Sequence, residues 1–438
     1  MYKSLLILLA IIIFNPNDIV CNNLENSNKE NILKEGITDS KEIKEKAKIA
    51  NRLFKENKFK EALKLFLALD KLKDESDLEV KYMIALCYLK SNVDKASAIE
   101  YLKDSRDHFF NKGIEEDYFY YLGIAYHLIY RFDEAIVSFD KFLSLSSRKD
   151  ERNQKVLRLI ENSMNGKKLT NEDVKVEIEN LGKQVNSPYP DYTPVISADE
   201  SILVINSRRM GSTGGLQNRY GEPDKVFGSY FEDIYVSINV NNNWLKSLPV
   251  GAPLNTEGHD AVIGIAPDGQ KLFVYRTDSV LWGNIFISSL RGYDWGPLEK
   301  LPAPINSEFQ ESSASITADG KKIYFTSNRP RTEDGVDFDL YFSERLPNGS
   351  WSIPTNLGSI INTPYDEISP YIHPDGKTLY FSSTGHNSMG GYDIFKSVLK
   401  DGEWGKPENM GYPINTTGDD ICFVLDASGF YGFYSSSK

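Results

Sequence analysis

The chain has 438 residues, 40% of them hydrophobic, 26% charged and 12% aromatic. At roughly 150 residues per domain this is room for two or three domains, and the balance excludes both a chain disordered throughout and a multi-span membrane protein. Lys+Arg 50 against Asp+Glu 62 leaves a net charge of −12, which repels a phosphate backbone and argues against nucleic acid as a partner.

The N-terminus reads as an address. Lys3 supplies one positive charge, and after Ser4 come ten apolar residues ending at Phe14. That run is too short to span a bilayer and has the dimensions of a signal-peptide core. Residues 1–21 are therefore expected to direct export to the periplasm. Cys21 offers two readings. It is the lipid-accepting cysteine of a bacterial lipoprotein, anchored to the outer membrane, or it lies near an ordinary cleavage site with no anchor. Val20 stands where the first reading expects a small residue. Residues 22–40 are rich in Asn, Glu and Lys and read as a flexible spacer.

From 41 to 165 the apolar spacing is helical and repeats. Ile49, Ala50, Leu53, Phe59, Ala62, Phe66 and Leu69 form one copy, and Ile84, Ala85, Tyr88, Ala98 and Leu102 a second. Leu122-Gly123-x-x-Tyr126 followed by Phe132, Ala135, Phe139 and Phe142 is the clearest. Each copy predicts two helices, the small residue admitting the partner helix and the aromatic filling the space left. Lys149–Met164 predicts a capping helix. The pattern resembles the tetratricopeptide repeat, which implies a shallow concave groove for peptide segments, or a spacer for the domain that follows.

From 174 to 438 the period shifts toward two, with Asn-Gly and Pro-Asp-Gly turns between strand-like runs. Blocks begin at Asn186, Asn255, Asn306, Asn362 and Asn415, at intervals of 69, 51, 56 and 53 residues. Five residues after each Asn stands an acid: Asp191, Asp260, Glu311, Glu367 and Asp420. Turn acids follow at Asp199, Asp268, Asp319 and Asp375, with Ser428 in the last copy. Third strands begin Asp233-Ile-Tyr, Asn284-Ile-Phe, Asp339-Leu-Tyr and Asp393-Ile-Phe, and fourth strands at Trp244, Trp295, Trp351 and Trp404. Repeats of four short strands at this period predict propeller blades, and five copies predict five blades. The last block stops after its second strand. Val174–Gly182 aligns with Trp351–Gly358, with Asn180-Leu-Gly matching Asn356-Leu-Gly and Asn409-Met-Gly. It is expected to supply the outer strand of blade five as a clasp. One strand is then still lacking, so either the chain is truncated or the ring is gapped. The resemblance is to WD-like propeller repeats of the Pro-Asp type.

Strand alternation puts the five acids on one face, around the channel mouth, with Arg208, Arg276 and Arg329 from second-strand ends. Two readings stay open. The charged ring captures a cation or a basic peptide, or Asp–Arg and Asp–backbone pairing locks the blades together. The long loop Arg208–Glu232, with Gly211-Ser-Thr-Gly-Gly215, lacks the Lys-Ser/Thr of a phosphate loop. No nucleophile elbow occurs, and His108, His127, His259, His373 and His386 have no metal spacing. Cys21, Cys87 and Cys422 fit no zinc pattern or disulfide framework. No cofactor is expected.

In order, the segments resemble OmpA-associated envelope proteins, the class that includes PorE of the type IX secretion and gliding machinery. The matching residues are Asn180-Leu-Gly, Pro190-Asp-Tyr-Thr-Pro-Val-Ile-Ser and Ser207-Arg-Arg-Met-Gly-Ser-Thr-Gly-Gly. The resemblance implies a non-catalytic periplasmic scaffold that holds other envelope proteins. Peptidoglycan binding does not carry over, because the OmpA-type domain of that class is not in this sequence. The alternative is a sensing propeller that binds a glycan, cation or peptide at the channel mouth.

Overall fold

A computed structural model describes residues 8–12, 40–72, 76–172, 174–197, 199–217, 228–277, 283–292, 294–330 and 337–437. Cys21 and nearly all of the 22–40 spacer lie outside the described residues. The chain divides into two compact units. One is helical and ends at Lys167; the other runs from Lys168 onward and includes the N-terminal strand.

Eight helices are described in the first unit: α1 (Ser40–Lys55), α2 (Phe59–Leu72), α3 (Leu78–Lys90), α4 (Ser97–Asp104), α5 (Arg106–Lys112), α6 (Glu115–Leu128), α7 (Phe132–Leu145) and α8 (Arg152–Leu169). Asp77 caps α3 by accepting the N–H groups of Glu79 and Val80. The close approach inferred from Gly123 is present, since a Cβ there would lie 2.5 Å from the Phe139 ring. Gly166 of α8 meets Phe132 in the same way, at 2.6 Å. Cys87 is fully buried, as a small hydrophobe. Helix α5 is not expected from the repeat. It arises where the Ser105 hydroxyl turns back onto the Tyr101 and Leu102 carbonyls and interrupts α4. Among the described residues no helix is long and apolar enough to cross a membrane.

Among the described residues the second unit holds four sheets of three long strands, each made from one contiguous stretch of chain, in a propeller-like arrangement, beside a two-stranded ladder of Gly215–Gln217 with Ser229–Tyr230. Sheet one joins Asp191–Ile196, Ile202–Ser207 and Asp233–Val240. Sheet two joins Asp260–Ile265, Lys271–Thr277 and Gly283–Arg291. Sheet three joins Glu311–Ile316, Lys322–Ser327 and Asp339–Glu344, and sheet four Glu367–Ile372, Thr378–Ser383 and Asp393–Lys400. All neighbours within them are antiparallel.

The fourth strands depart from the expectation of one run starting at Trp. Trp244, Trp295 and Trp404 close a tight hairpin onto the end of the third strand, and a separate two-residue ladder follows. Trp351 makes only an isolated bridge, to Arg345. Pro297, Pro354 and Pro407 follow three of these tryptophans, and proline cannot continue a ladder.

Successive sheets meet through apolar clusters. Val195 and Val204 of sheet one pack with Leu272 and Val274 of sheet two. Phe273 and Ile285 pack with Phe325 and Tyr341, and Tyr324 and Leu340 with Leu379 and Phe381. The first asparagine of each later block adds a polar clamp. Its Oδ1 accepts the N–H, and its Nδ2 donates to the C=O, of one residue in the preceding third strand. Asn255 holds Ile234, Asn306 Ile285, Asn362 Leu340 and Asn415 Ile394, at 2.7–3.0 Å. Burying a backbone N–H and C=O with both bonds made avoids the cost of leaving either unpaired.

A further four-stranded sheet is composite. Its order is Val176–Asn180, Leu8–Ile12, Tyr431–Ser436, Asp420–Leu425. Val176–Asn180 takes the outer position, and its Asn180 Oδ1 accepts from Gly182 N and Asn186 Nδ2, as Asn356 does from Gly358 and Asn362. The strand lacking from the sequence reading is filled by Leu8–Ile12, from the apolar run assigned to the signal. It runs parallel to both neighbours. An extended segment there satisfies two facing rows of backbone groups. Phe423 and Tyr434 of this sheet pack on Tyr380 and Ile394 of sheet four, and Phe433 packs on Leu203 and Tyr235 of sheet one.

Candidate functional site

The five acids head the first strands, and each folds back on its own turn. Asp191, Asp260, Glu311, Glu367 and Asp420 accept the backbone N–H four residues upstream, from Ser187, Thr256, Ser307, Thr363 and Thr416, at 2.5–3.0 Å. All five are at most 1% exposed, so their carboxylates are packed inside the turns and do not face open solvent.

Their partners differ around the sheets. Asp260 receives the Arg276 Nε at 2.5 Å, and Glu311 the Arg329 Nη2 at 3.0 Å. Asp191 pairs with Arg209, at 2.5 Å, and not with Arg208. Arg208 points elsewhere and meets Glu232 at 2.6 Å, with its side chain 42% exposed. The strand register explains the shift. Arg209 stands two residues beyond Ser207, as Arg329 stands two beyond Ser327, and both serines face the acid across the first two strands. Arg209, Arg276 and Arg329 each also donate to the carbonyl before the block asparagine, on Val185, Leu254 and Ile305. In sheet four His386 Nε2 takes that carbonyl, on Ile361, at 2.9 Å.

Glu367 and Asp420 sit among hydroxyls. Glu367 accepts from Thr363 and Ser383, each at 2.7 Å, and Asp420 from the Thr416 hydroxyl at 2.9 Å. Burial pushes both carboxyls up to about 7. Nearby Asp393 heads the third strand of sheet four, accepting from Met389 N, Gly390 N and Asn409 Nδ2. Burial, with the Asp420 charge as a smaller contribution, pushes it up to about 8.

Beside the turns of Asp191 and Asp260 stands a partly exposed pair, Glu232 and His259, that the sequence did not assign to the site. Glu232 accepts from Tyr192 Oη and Arg208 Nη2, both at 2.6 Å, and pairs with His259. Burial alone would raise its pKa, but the bond from His259, then the Arg208 charge, holds it down to about 2. His259 lies against the Phe231 ring, with centroids 4.1 Å apart. The signal that could have found them is position: His259 immediately precedes the block acid, and Glu232 immediately precedes a third strand. The loop that leaves Ser207 is partly described. Its Thr213 N–H bonds Asp233, and a Cβ on Gly214 would lie 2.4 Å from the Glu257 carbonyl oxygen, so only glycine admits that approach.

All five first strands also wall a cavity of about 150 Å³. Thr193, Ser313, Ser369 and Cys422, each seven residues after its block asparagine, place polar groups in its wall, in or beside the bulge of their first strands; the same position in sheet two is the apolar Val262. Thr193, Ser369 and Cys422 stand there at φ of 54°, 54° and 60°, in the left-handed region that costs energy for these residues. Cys422 Sγ lies 3.3 Å from Ser369 Oγ and 3.5 Å from Thr193 Oγ1, and Ser369 N–H donates to Ser313 Oγ at 3.1 Å. Burial pushes the Cys422 thiol up, which keeps it protonated near neutrality. Apolar groups such as Ile263 and Val424 line it alongside Ser312, Ser315 and Asp426. Such a wall can take a slender, largely apolar guest with a few hydrogen-bonding groups. Among the described residues no three His, Cys, Asp or Glu side chains are grouped to hold a metal ion.

No protein-family model matches the chain, and no curated protein sequence matches it. Among solved structures it overlaps a putative TolB from Agrobacterium tumefaciens at 18% identity and TM-score 0.34, covering 56% of this chain and 68% of that one. TolB from Acinetobacter baumannii overlaps at 14% identity and TM-score 0.35, covering 56% and 54%. A puromycin-hydrolyzing peptidase from Mycobacterium tuberculosis overlaps at 13% identity and TM-score 0.30, covering 51% and 30%. At these scores neither fold nor activity is transferred, and the architecture stands on the sheets themselves.

Proposed function

We propose that the chain is a non-catalytic scaffold of the bacterial envelope. It acts in the periplasm, either free or tethered to the outer membrane through Cys21, and holds other envelope proteins together. In this reading the composite sheet is the fifth blade; its Leu8–Ile12 strand belongs to the chain before export processing, and tethering at Cys21 would remove it. That count is supported by apolar clusters joining each sheet to the next, including the two that bracket the composite sheet. The helical unit is a tetratricopeptide-type stack, supported by the Gly123–Phe139 approach. Motif order and the quoted loop residues support kinship with the type IX secretion class.

The observation that carries the scaffold reading is how the recurrent polar residues are used. The five acids are buried in turns, and the block asparagines clamp neighbouring strands. These groups hold a rigid ring, which is what a docking platform requires. Cross-linking in envelope extracts followed by mass spectrometry tests this: reproducible adducts to a small set of envelope proteins are expected, and their absence would overturn it.

The cavity walled by the first strands favours a second reading, a ligand-sensing ring. A saturable rise in melting temperature with a sugar, a peptide or a cation would support it. Asp260→Ala with Glu311→Ala separates the roles of the acids. A large fall in melting temperature marks them as locks; lost ligand binding at an unchanged melting temperature marks them as a binding ring.

A further inference from the structure

We infer that Arg208 and His259, held side by side by Glu232 where sheet one meets sheet two, form a binding site for an α-hydroxycarboxylate. Arg208 takes the carboxylate, and the His259 Nε2 accepts a hydrogen bond from the adjacent hydroxyl. None of the three residues lines the cavity between the first strands, and the site does not depend on the scaffold reading.

The trio is fixed by backbone before any side chain acts. The Asp260 N–H, beside His259, bonds the Glu232 carbonyl, and the Arg208 N–H bonds the Pro190 carbonyl, both at 3.1 Å. Phe231 packs on the imidazole. The Glu232 carboxylate then divides its two oxygens. Its Oε1 accepts from Arg208 Nη2 and Tyr192 Oη, and its Oε2 meets His259 Nδ1. One carboxylate thus sets a guanidinium and an imidazole next to each other. The Glu232 side chain is 16% exposed, against 42% for Arg208 and 37% for His259, so the carboxylate lies beneath and the other two present surface to a ligand.

Chemistry fixes what the pair presents. Glu232 is ionised, with its pKa at about 2, and an ionised carboxylate can only accept. The Nδ1 proton of His259 therefore points at Glu232. In the neutral ring Nε2 is left as an acceptor, with no partner among the described residues. Arg208 has Glu232 and the Tyr192 hydroxyl as neighbours, and a guanidinium carries more donors than these contacts use. A fixed cationic donor beside a fixed acceptor matches a ligand whose carboxylate lies next to a hydroxyl. It disfavours a cation, which Arg208 repels, and an anion that can only accept, whose oxygens would face the Nε2 lone pair. Locking one sheet to the next does not call for this trio. Further round, the same backbone bond runs from Glu367 N–H to the Phe338 carbonyl and from Asp420 N–H to the Tyr392 carbonyl, with Asp366 and Asp419 in the position of His259. Those acids accept the Phe338 and Tyr392 N–H groups, whereas His259 turns its Nδ1 to the Glu232 side chain.

The test uses the full chain at about pH 8, where an ordinary imidazole is neutral. It follows the His259 imidazole by NMR, assigned as the signal lost in His259→Gln. Sodium lactate is expected to shift that signal saturably. Propionate, which lacks the hydroxyl, and lactamide, which lacks the charge, are each expected to bind about tenfold more weakly. Arg208→Gln should abolish the response. Glu232→Gln tests positioning. A carboxamide can donate to Nδ1 and reverse the tautomer, so lactate binding should weaken about tenfold although a negative charge has gone. Tighter lactate binding in Glu232→Gln would reduce the site to a patch of charge and overturn the inference. Equal responses to lactate and propionate, a shift that does not saturate, or a response that survives Arg208→Gln would overturn it too. If lactate leaves His259 of the wild type unmoved while Arg208→Gln and Glu232→Gln lower the melting temperature, the trio is an ion-pair lock between sheets, and the site falls while the scaffold reading stands.

Discussion

The same turn is built in two ways on the two sides of the β unit. In sheets one to three the block acid is met by an arginine: Asp191 by Arg209, Asp260 by Arg276, Glu311 by Arg329. In sheet four and the composite sheet, Glu367 and Asp420 are held by threonine and serine hydroxyls and rise to about 7. Both solutions bury a carboxyl and satisfy the N–H groups of its turn. The first sets a guanidinium against the carboxyl. The second lets the proton offset the burial, so the repeat is geometric before it is electrostatic.

The largest test of that contrast is Arg329→Ala. It leaves Glu311, fully buried, without its cation and is expected to cost about 3–5 kcal/mol, read by thermal or denaturant unfolding. Replacing both residues with apolar ones, Arg329→Met with Glu311→Leu, should recover most of the loss; failure to recover would mean that the acid's bond to the Ser307 N–H matters more than the charge pair. Asn415→Ala removes the clamp between sheet four and the composite sheet, leaving two buried backbone groups of Ile394 unpaired, for a loss of about 2 kcal/mol. Asn306→Ala, on the arginine-bearing side, should cost a similar amount, because the clamp does not depend on charge. A large difference between the two would show that the sides differ in packing as well. In the helical unit, Gly123→Ala drives a methyl into the Phe139 ring and is expected to cost about 1–3 kcal/mol there, seen at 222 nm, with partial rescue by Phe139→Leu.

A separate test is the dependence on pH. Glu367 and Asp420 at about 7, and Asp393 at about 8, bind protons more tightly folded than unfolded, where carboxyls titrate near ~4. The folded state carries the extra protons between those values. Their contribution is therefore complete below the unfolded pKa and is lost as pH rises to about 8. The melting temperature should fall from pH 5 to pH 8, and Asp420→Asn or Asp393→Asn should flatten the slope. A flat or rising profile in the wild type would show that these carboxyls are compensated by a route other than protonation.

Much of the architecture is legible in residues that act locally. Asp268 and Asp319 accept the N–H two residues on, at 3.0 Å, so the Asp-Gly turns announce themselves. The asparagine-plus-five acid bonds its own turn and keeps its phase wherever the block recurs. Gly123 and Phe139, one helix apart, likewise carry their contact in their spacing. The candidate site is less legible. Choosing Arg209 over Arg208 as the partner of Asp191 needed the pleat direction at Ser207, which a run of two arginines conceals. The bulges that put Thr193, Ser369 and Cys422 at positive φ have no glycine to mark them. Breaking of the fourth strands after Trp was written in Pro297, Pro354 and Pro407 and was obscured by the stronger tryptophan period.

The sequence by itself determined the two kinds of repeat, the phase of the strands and the turn chemistry, because each is decided by bonds within a few residues of chain. Only the tertiary structure decided which cation meets which acid, which carboxyls keep their protons, and what lies between Val176–Asn180 and Tyr431–Ser436. The first two depend on pleat direction and burial, and the last on strand edges brought together from opposite ends of the chain. Their energies are set by burial and register across the gap, which no local pattern encodes.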